Sequence, residues 1–313
     1  MQRPLYFVSG LPRSGSTLLI NVLGQNPDHY VTPTSGLINL FVAAKTQWTS
    51  YIEFQAEGLE KVKPRVLRAL RGMLQAYFEE ELSAGKAVFD KSRGWLQHIE
   101  PLEEALGRPI KLLVPVRDVR AIVSSFEKLY RKRSIDYQEA DGDACFQCQT
   151  VEGRAELLLS PAGVVGLSIA RLRDALQRGV ADRLILVPYP ALTQYPQEVL
   201  SALHGGLGLE PHEYDTENVE QITHENDVHH GLDLHEIRPK IEPPRAHPWQ
   251  DILPAELAEA IAQQYMDINQ LAGPMPMSTA PVAPQNTGAP PQNPSDTEEP
   301  AAAETESPVE VEA

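Results

Sequence analysis

Short apolar runs alternate with amphipathic stretches along the body of this chain. Leu5-Tyr6-Phe7-Val8 reads as a strand, and Leu18, Leu19, Val22 and Leu23 follow at helical spacing. Ala87-Val88-Phe89 is a second short strand. Ile110 to Val116 is a buried strand running into a helix over 119–131, and Leu184 to Tyr189 is a further strand. Asn26-Pro27-Asp28 makes a turn. Gly36 to Phe54, Leu59 to Leu82, Glu100 to Leu106 and Val164 to Arg178 carry leucines and aromatics three and four residues apart, the helical period. Another helix starts at Pro196 and ends near Gly206-Leu207-Gly208. Strand and helix in alternation predict an α/β protein, a parallel sheet flanked by helices on both faces, with residues 36–82 as a helical cap. Ligands of such sheets sit at the carboxyl ends of strands.

Composition narrows the class. With 313 residues, 42% apolar and 22% charged, the chain has ample length for one α/β domain. No apolar run approaches the ~18–20 residues of a bilayer span. Met1-Gln2-Arg3-Pro4 leads straight into the first strand, and Cys145 and Cys148 make no disulfide framework, so the expected setting is cytoplasmic. From Gly273 the chain turns to Pro, Ala and Glu without Lys or Arg. The expected organisation is therefore a domain over 1–272 and a disordered acidic tail over 273–313. Seven of the sixteen net negative charges lie in that tail, which leaves nine on the body. An acidic body argues against nucleic acid as a partner. It leaves room for an anionic ligand, because Arg13, Lys91, Arg93, Lys111, Arg117, Arg120 and Arg131-Lys132-Arg133 gather cations locally.

The most informative stretch is Ser9-Gly10-Leu11-Pro12-Arg13-Ser14-Gly15-Ser16-Thr17, between the first strand and the first helix. A strand, a tight glycine-containing loop and a helix N-terminus make an anion site, where backbone N–H groups converge and the helix dipole adds about half a positive charge. Set against G-x-x-x-x-G-K-[ST], Gly10 and Gly15 hold the glycine positions and Thr17 the hydroxyl, but Ser16 stands where the lysine belongs. That lysine reaches the β- and γ-phosphates of a nucleoside triphosphate, so its absence argues against ordinary ATP or GTP hydrolysis. Arg13 supplies a cation from within the loop instead.

P-R-S-G-S-T-L-L resembles the 5′-phosphosulfate loop of the sulfotransferases that use 3′-phosphoadenosine-5′-phosphosulfate (PAPS). The resemblance covers roughly residues 5–210 and carries a P-loop-like fold, some of its loop features being closer to the tyrosylprotein branch. It implies that Pro12, Arg13, Ser14, Gly15, Ser16 and Thr17 hold the phosphosulfate. The family's arginine with a serine eight positions later, which binds the 3′-phosphate, maps to Arg117 and Ser125, with Ser124 as second choice. A forked guanidinium plus a hydroxyl suits a dianionic phosphate. Lys91, in Phe89-Asp90-Lys91-Ser92, resembles the lysine beside the sulfuryl group. It implies a second catalytic cation with Arg13, neutralising charge on the bridging oxygen without a metal. Tyr189, in a segment similar to the family's Y-E-D-L, implies a neighbour of the nucleotide. Arg238 and Lys240 sit where the family has a late basic loop.

The expected reaction is sulfuryl transfer from PAPS to the hydroxyl of an acceptor: a small molecule, glycan, lipid or peptide tyrosine. No metal is expected. The general base is not carried over. The family's branches use a histidine, or a glutamate shortly after the first helix, and here Pro33, Thr34 and Ser35 stand near that glutamate's place. His29, His98, Asp90 and the group His229, His230 and His235 are the candidates. Two rival readings stand beside this one: a nucleotide kinase or NTPase, and a catalytically silent protein that binds PAPS or its product.

Overall fold

The computed structural model describes residues 5–132, 149–226, 229 and 235–273. Cys145, Cys148, Arg133, His230 and the tail beyond Gly273 lie outside the described residues.

Five parallel strands form one sheet in the order β2-β3-β1-β4-β5. They are β1 (Leu5–Val8), β2 (His29–Thr34), β3 (Ala87–Lys91), β4 (Leu112–Val116) and β5 (Leu184–Pro188). β1 is central, with Val8 opposite Lys91 of β3 and Leu113 of β4. Side chains alternate across a strand, and this divides the core in two. Phe7, Val88, Leu112 and Val114 face one helical layer, while Val8, Phe89, Leu113 and Val187 face the other. Both layers are buried, which explains why these strands read as continuous apolar runs.

β2 has no counterpart in the sequence reading. His29-Tyr30-Val31-Thr32-Pro33-Thr34 is too polar and too broken by proline to announce a strand. As an edge strand it tolerates both, and its register with β3 shifts between Val31 and Thr34. The expected helices of residues 36–82 are shorter pieces: α2 (Leu37–Gln47), α3 (Ile52–Glu57), α4 (Leu59–Ala76) and α5 (Glu79–Ser83). Tyr51 is extended and Gly58 has φ 96°, which interrupts helical hydrogen bonding at each junction. Phe41, Leu70, Leu74, Phe78 and Leu82 bury against the layer of Phe7 and Val88.

α6 (Ile99–Leu106) precedes β4, and α7 (Val119–Lys132) leaves it. Asp118 accepts from the Arg120 backbone N–H, 2.8 Å, and so caps the start of α7. The stretch Val151–Gln177 has the length and apolar composition to cross a bilayer. A turn over 160–163 splits it into helices Val151–Leu159 and Val164–Gln177, each shorter than the ~20 residues a span needs. Val165, Ile169 and Leu172 of the second are buried in the core. Helix Pro196–Leu207 covers the other face, and helices Ala255–Gln264 and Met266–Leu271 close the first layer beside α7.

Candidate functional site

The loop after β1 is held down before it reaches α1 (Ser16–Leu23). Ser9 N–H donates to the Leu113 carbonyl, 2.8 Å, and Leu11 N–H to that of Pro115, 3.1 Å. Gly10 is required here, since a Cβ would lie 2.4 Å from the Pro115 carbonyl oxygen. Arg13 (φ 56°) and Gly15 (φ 92°) are both left-handed, a conformation that costs a non-glycine residue about 1–3 kcal/mol. Such alternation turns successive N–H groups to one side and makes an anion-binding concavity. α1 then starts with no acidic residue in its first turn, so its positive end faces the loop. Ser14 departs from expectation. Its hydroxyl is buried and donates to the Leu11 carbonyl, so only its backbone can meet a ligand.

On the β4–β5 flank the expected residues join this loop. Arg117 Nη1 donates to the Arg13 carbonyl, 2.9 Å, and its guanidinium lies 4.3 Å above the centroid of the Tyr189 ring. That ring rests against Gly15, where an added Cβ would come within 2.6 Å of it. Arg13 Nε donates to Ser125 Oγ, 3.1 Å. Ser124, the second choice, has its buried hydroxyl on the Ala121 carbonyl. Burial lowers the Arg117 pKa, with Arg13 acting the same way and Tyr189 opposing. Lys128 is also lowered, first by burial and then by Arg117, Arg245 and Arg238. Positive charge therefore crowds this flank. Arg238 and Lys240 are exposed at its rim, and the Lys240 ammonium is held 2.7 Å from Glu217.

The β3–β2 flank is built differently. Lys91 ends β3 with its side chain 6% exposed and its Nζ 2.9 Å from Glu225 Oε1, itself 5% exposed. The same oxygen accepts from the Thr34 backbone, 2.8 Å, and from the Thr34 hydroxyl, 3.1 Å. His235 Nδ1 lies 3.5 Å from Glu225 Oε2. Burial raises the Glu225 pKa, but Lys91 and Thr34 outweigh it and leave the carboxyl below its usual value. Sequence reasoning missed Glu225. Its contacts lie 134 and 191 residues away along the chain, so no local pattern reveals them.

One cavity of about 920 Å³ is lined from both flanks, on the β3–β2 side by Thr34, Lys91 and His235; Glu225 is outside its lining and meets it through Lys91 and Thr34, to which it is bonded. Pro12, Arg13, Gly15, Ser16, Thr17, Lys91, Arg117, Ser125, Tyr189, Arg238 and Lys240 all line it. Of the described candidates for a base, His235 lines the cavity and the others do not. His29 is buried beneath Phe89 with its pKa lowered to about 4, chiefly by burial. His98 packs on Phe41, and burial lowers it too. Asp90 points to the opposite side of β3 from Lys91, where Trp95 Nε1 donates to it at 2.7 Å. His229 is exposed outside the cavity lining. Lys111 precedes β4, at the wrong end of the sheet, and donates to Asp182 O, 2.6 Å.

A family model described as Sulfotransferase family matches residues 4–213, about two thirds of the chain. No curated protein matches the sequence. Among solved structures, the chain is similar to the sulfotransferase domain from the Synechococcus PCC 7002 olefin synthase. That match has 21% identity and a TM-score of 0.48, and covers 84% of this chain and 94% of that one. It is also similar to the sulfotransferase domain from the curacin biosynthetic pathway, with 18% identity, TM-score 0.48, and 85% and 98% covered. A third is the sulfotransferase from Alicyclobacillus acidocaldarius, with 14% identity, TM-score 0.48, and 87% and 95% covered.

Proposed function

The chain belongs to the sulfotransferase family, and from that premise we propose that it moves the sulfuryl group of PAPS to an acceptor hydroxyl. The observation that carries this reading is the joined constellation of loop, Arg117, Ser125 and Tyr189. Arg13 donates to Ser125, and Arg117 to the carbonyl of Arg13. The loop is thus bonded directly to a second group of anion donors on the strand and helix beside it.

In this reading the loop N–H groups and the α1 N-terminus hold the 5′-phosphosulfate. Arg117 and Ser125 turn to the 3′-phosphate, Tyr189 lies beside the nucleotide, and Arg238 and Lys240 approach from the rim. Arg13 and Lys91 face the oxygen that bridges phosphorus and sulfur, where charge collects as the sulfur–oxygen bond breaks. The acceptor comes in over β3 and β2. Its hydroxyl proton passes to the Glu225 carboxylate, its oxygen attacks sulfur, and adenosine 3′,5′-bisphosphate leaves. Lys91 leaving Glu225 for the donor removes the ion pair that depresses the carboxyl, so the base strengthens as the donor binds. The proposal takes residues 1–272 as the sulfotransferase domain, 273–313 as a separate acidic tail and the cytoplasm as the setting.

Calorimetry with adenosine 3′,5′-bisphosphate, with and without EDTA, tests the donor. Tight, metal-independent binding is expected, and preference for ATP or strict metal dependence would overturn it. Transfer of labelled sulfur from PAPS into a cell extract separates an active enzyme from a silent binder.

A further inference from the structure

The two flanks of the cavity hold their cations in different ways. Arg13 and Arg117 are hydrogen-bonded within the β4–β5 constellation, and Lys128 Nζ donates to the Pro248 carbonyl, 3.3 Å. Arg93, two residues past the end of β3, lines the cavity and is half-buried. Among the described residues it makes no hydrogen bond and no ion pair within 4 Å. Its nearest charges are Arg171, of the same sign, and Glu225, whose carboxylate is already engaged by Lys91 and Thr34. A guanidinium drawn out of water without a matching acceptor is unfavourable. It becomes favourable when a ligand supplies the acceptor.

The strand order says which ligand. β1 lies between β3 and β4, so Arg93 stands across the loop from Arg117, Ser125 and Lys128, the group that fits the nucleotide's phosphates. It is on the side of Lys91 and Glu225, where the acceptor arrives. Resting on that reading of the cavity, we propose that Arg93 anchors a carboxylate carried by the acceptor, which is therefore a hydroxyl compound with a carboxylate. A single planar fork matches a carboxylate through two parallel hydrogen bonds. A phosphate dianion gathers several cations, as the opposite flank provides. The anchored carboxylate fixes the acceptor's orientation, leaving its hydroxyl toward Lys91 and Glu225.

The test uses a matched pair of probes, 4-hydroxyphenylacetate and its neutral amide, titrated into the full-length protein saturated with adenosine 3′,5′-bisphosphate. Wild type should bind the carboxylate at least ~10-fold more tightly than the amide, the scale of one charge-assisted pair. In Arg93→Gln that preference should vanish while bisphosphate affinity stays within about twofold. Arg93→Lys, which keeps the charge and loses the fork, should retain part of the preference, and it serves if the glutamine variant fails to fold. Equal binding of both probes, binding of neither up to millimolar concentration, or a preference that survives in Arg93→Gln overturns the proposal. So does a loss of bisphosphate affinity on replacing Arg93, which would assign it to the donor. The same titrations on nucleotide-free protein judge Arg93 separately. Failure of wild type to bind the bisphosphate would then count against the donor reading alone.

Discussion

The flank of the cavity over β4 and β5 and the flank over β3 and β2 are assembled on opposite plans. On the first, a strand and the helix that follows it deliver Arg117 and Ser125 eight residues apart, and both reach back to one loop. On the second, a strand-end lysine is met by a glutamate from a late connection, and Thr34 of the edge strand bonds to the same carboxylate oxygen. The first plan suits a ligand that never changes, because local geometry fixes the donors whatever the rest of the chain does. The second suits a ligand that differs between proteins, because irregular connections can be rebuilt without disturbing the sheet.

The largest effect that can separate the two flanks lies in the Lys91–Glu225 pair. Both side chains are buried, so removing one takes away the other's buried counter-charge, at up to about 3–5 kcal/mol of stability. Lys91→Met and Glu225→Gln should each melt early and each lower single-turnover sulfuryl transfer by roughly 100-fold or more. The double variant decides what the pair is for. Stability should largely return, because no lone charge remains, and turnover should not. If turnover returns with stability, the pair only holds the fold together and the catalytic roles of both residues are wrong.

On the other flank, Arg117→Ala should weaken adenosine 3′,5′-bisphosphate by roughly 1.5–3 kcal/mol, the worth of a charge-assisted contact. Adenosine 5′-phosphosulfate, which lacks the 3′-phosphate, should lose far less. Equal losses would mean that Arg117 acts through the Arg13 carbonyl and the Tyr189 ring, as an organiser of the loop rather than a ligand.

These contrasts also explain how much was legible in the sequence. The loop at 9–17 and the Arg117–Ser125 spacing were readable because each lies within one strand–turn–helix unit, where periodicity and turn chemistry are local. The three inner strands were readable because both their faces are covered, and β5, at the opposite edge from β2, because Leu184, Ile185, Leu186 and Val187 form an unbroken apolar run packed against both layers. β2 was not, since an edge strand may carry His29, Thr32 and Pro33 at little cost. Glu225 was not readable either. Nothing near His224 or Asn226 marks it, and its role exists only once the fold has brought Lys91 and Thr34 to it. Helices Ala255–Gln264 and Met266–Leu271 had no expectation at all, although Asn269 Oδ1 accepts from Val119 N–H, 2.9 Å, and so helps to seat α7.

A smaller effect distinguishes the two carboxylates near β3. Asp90 is fully buried and its pKa is raised to about 6 by burial, which the Trp95 bond only partly offsets. The folded state therefore holds this proton more tightly than the unfolded chain does. Stability falls as pH rises from about 4 to 6, and the whole penalty, at most about 3 kcal/mol, is present at pH 7. Asp90→Asn should remove that slope, stabilising the protein at pH 7 and changing little at pH 4. Turnover should stay near wild type, unlike Glu225→Gln. A variant that melts earlier at pH 7 would show that the ionised carboxylate is needed where it is.

The smallest expected effect belongs to the acidic end of the chain. The cavity is lined by Arg13, Lys91, Arg93, Arg117, Lys128 and Arg238, and the stretch after Gly273 carries seven carboxylates and no cation. A tethered polyanion is a natural competitor for an anionic donor of a cationic cavity. Two considerations oppose it. The charges are spread over a Pro- and Ala-rich stretch that presents no run able to match a nucleotide's clustered phosphates. Exposed charges are also screened beyond about 8 Å at physiological ionic strength. Deleting residues 274–313 should therefore leave melting temperature and bisphosphate affinity unchanged at 150 mM salt. Tighter donor binding on deletion, growing as salt is lowered, would show that the tail guards the cavity. A drop of several degrees in melting temperature would show instead that it packs on the body.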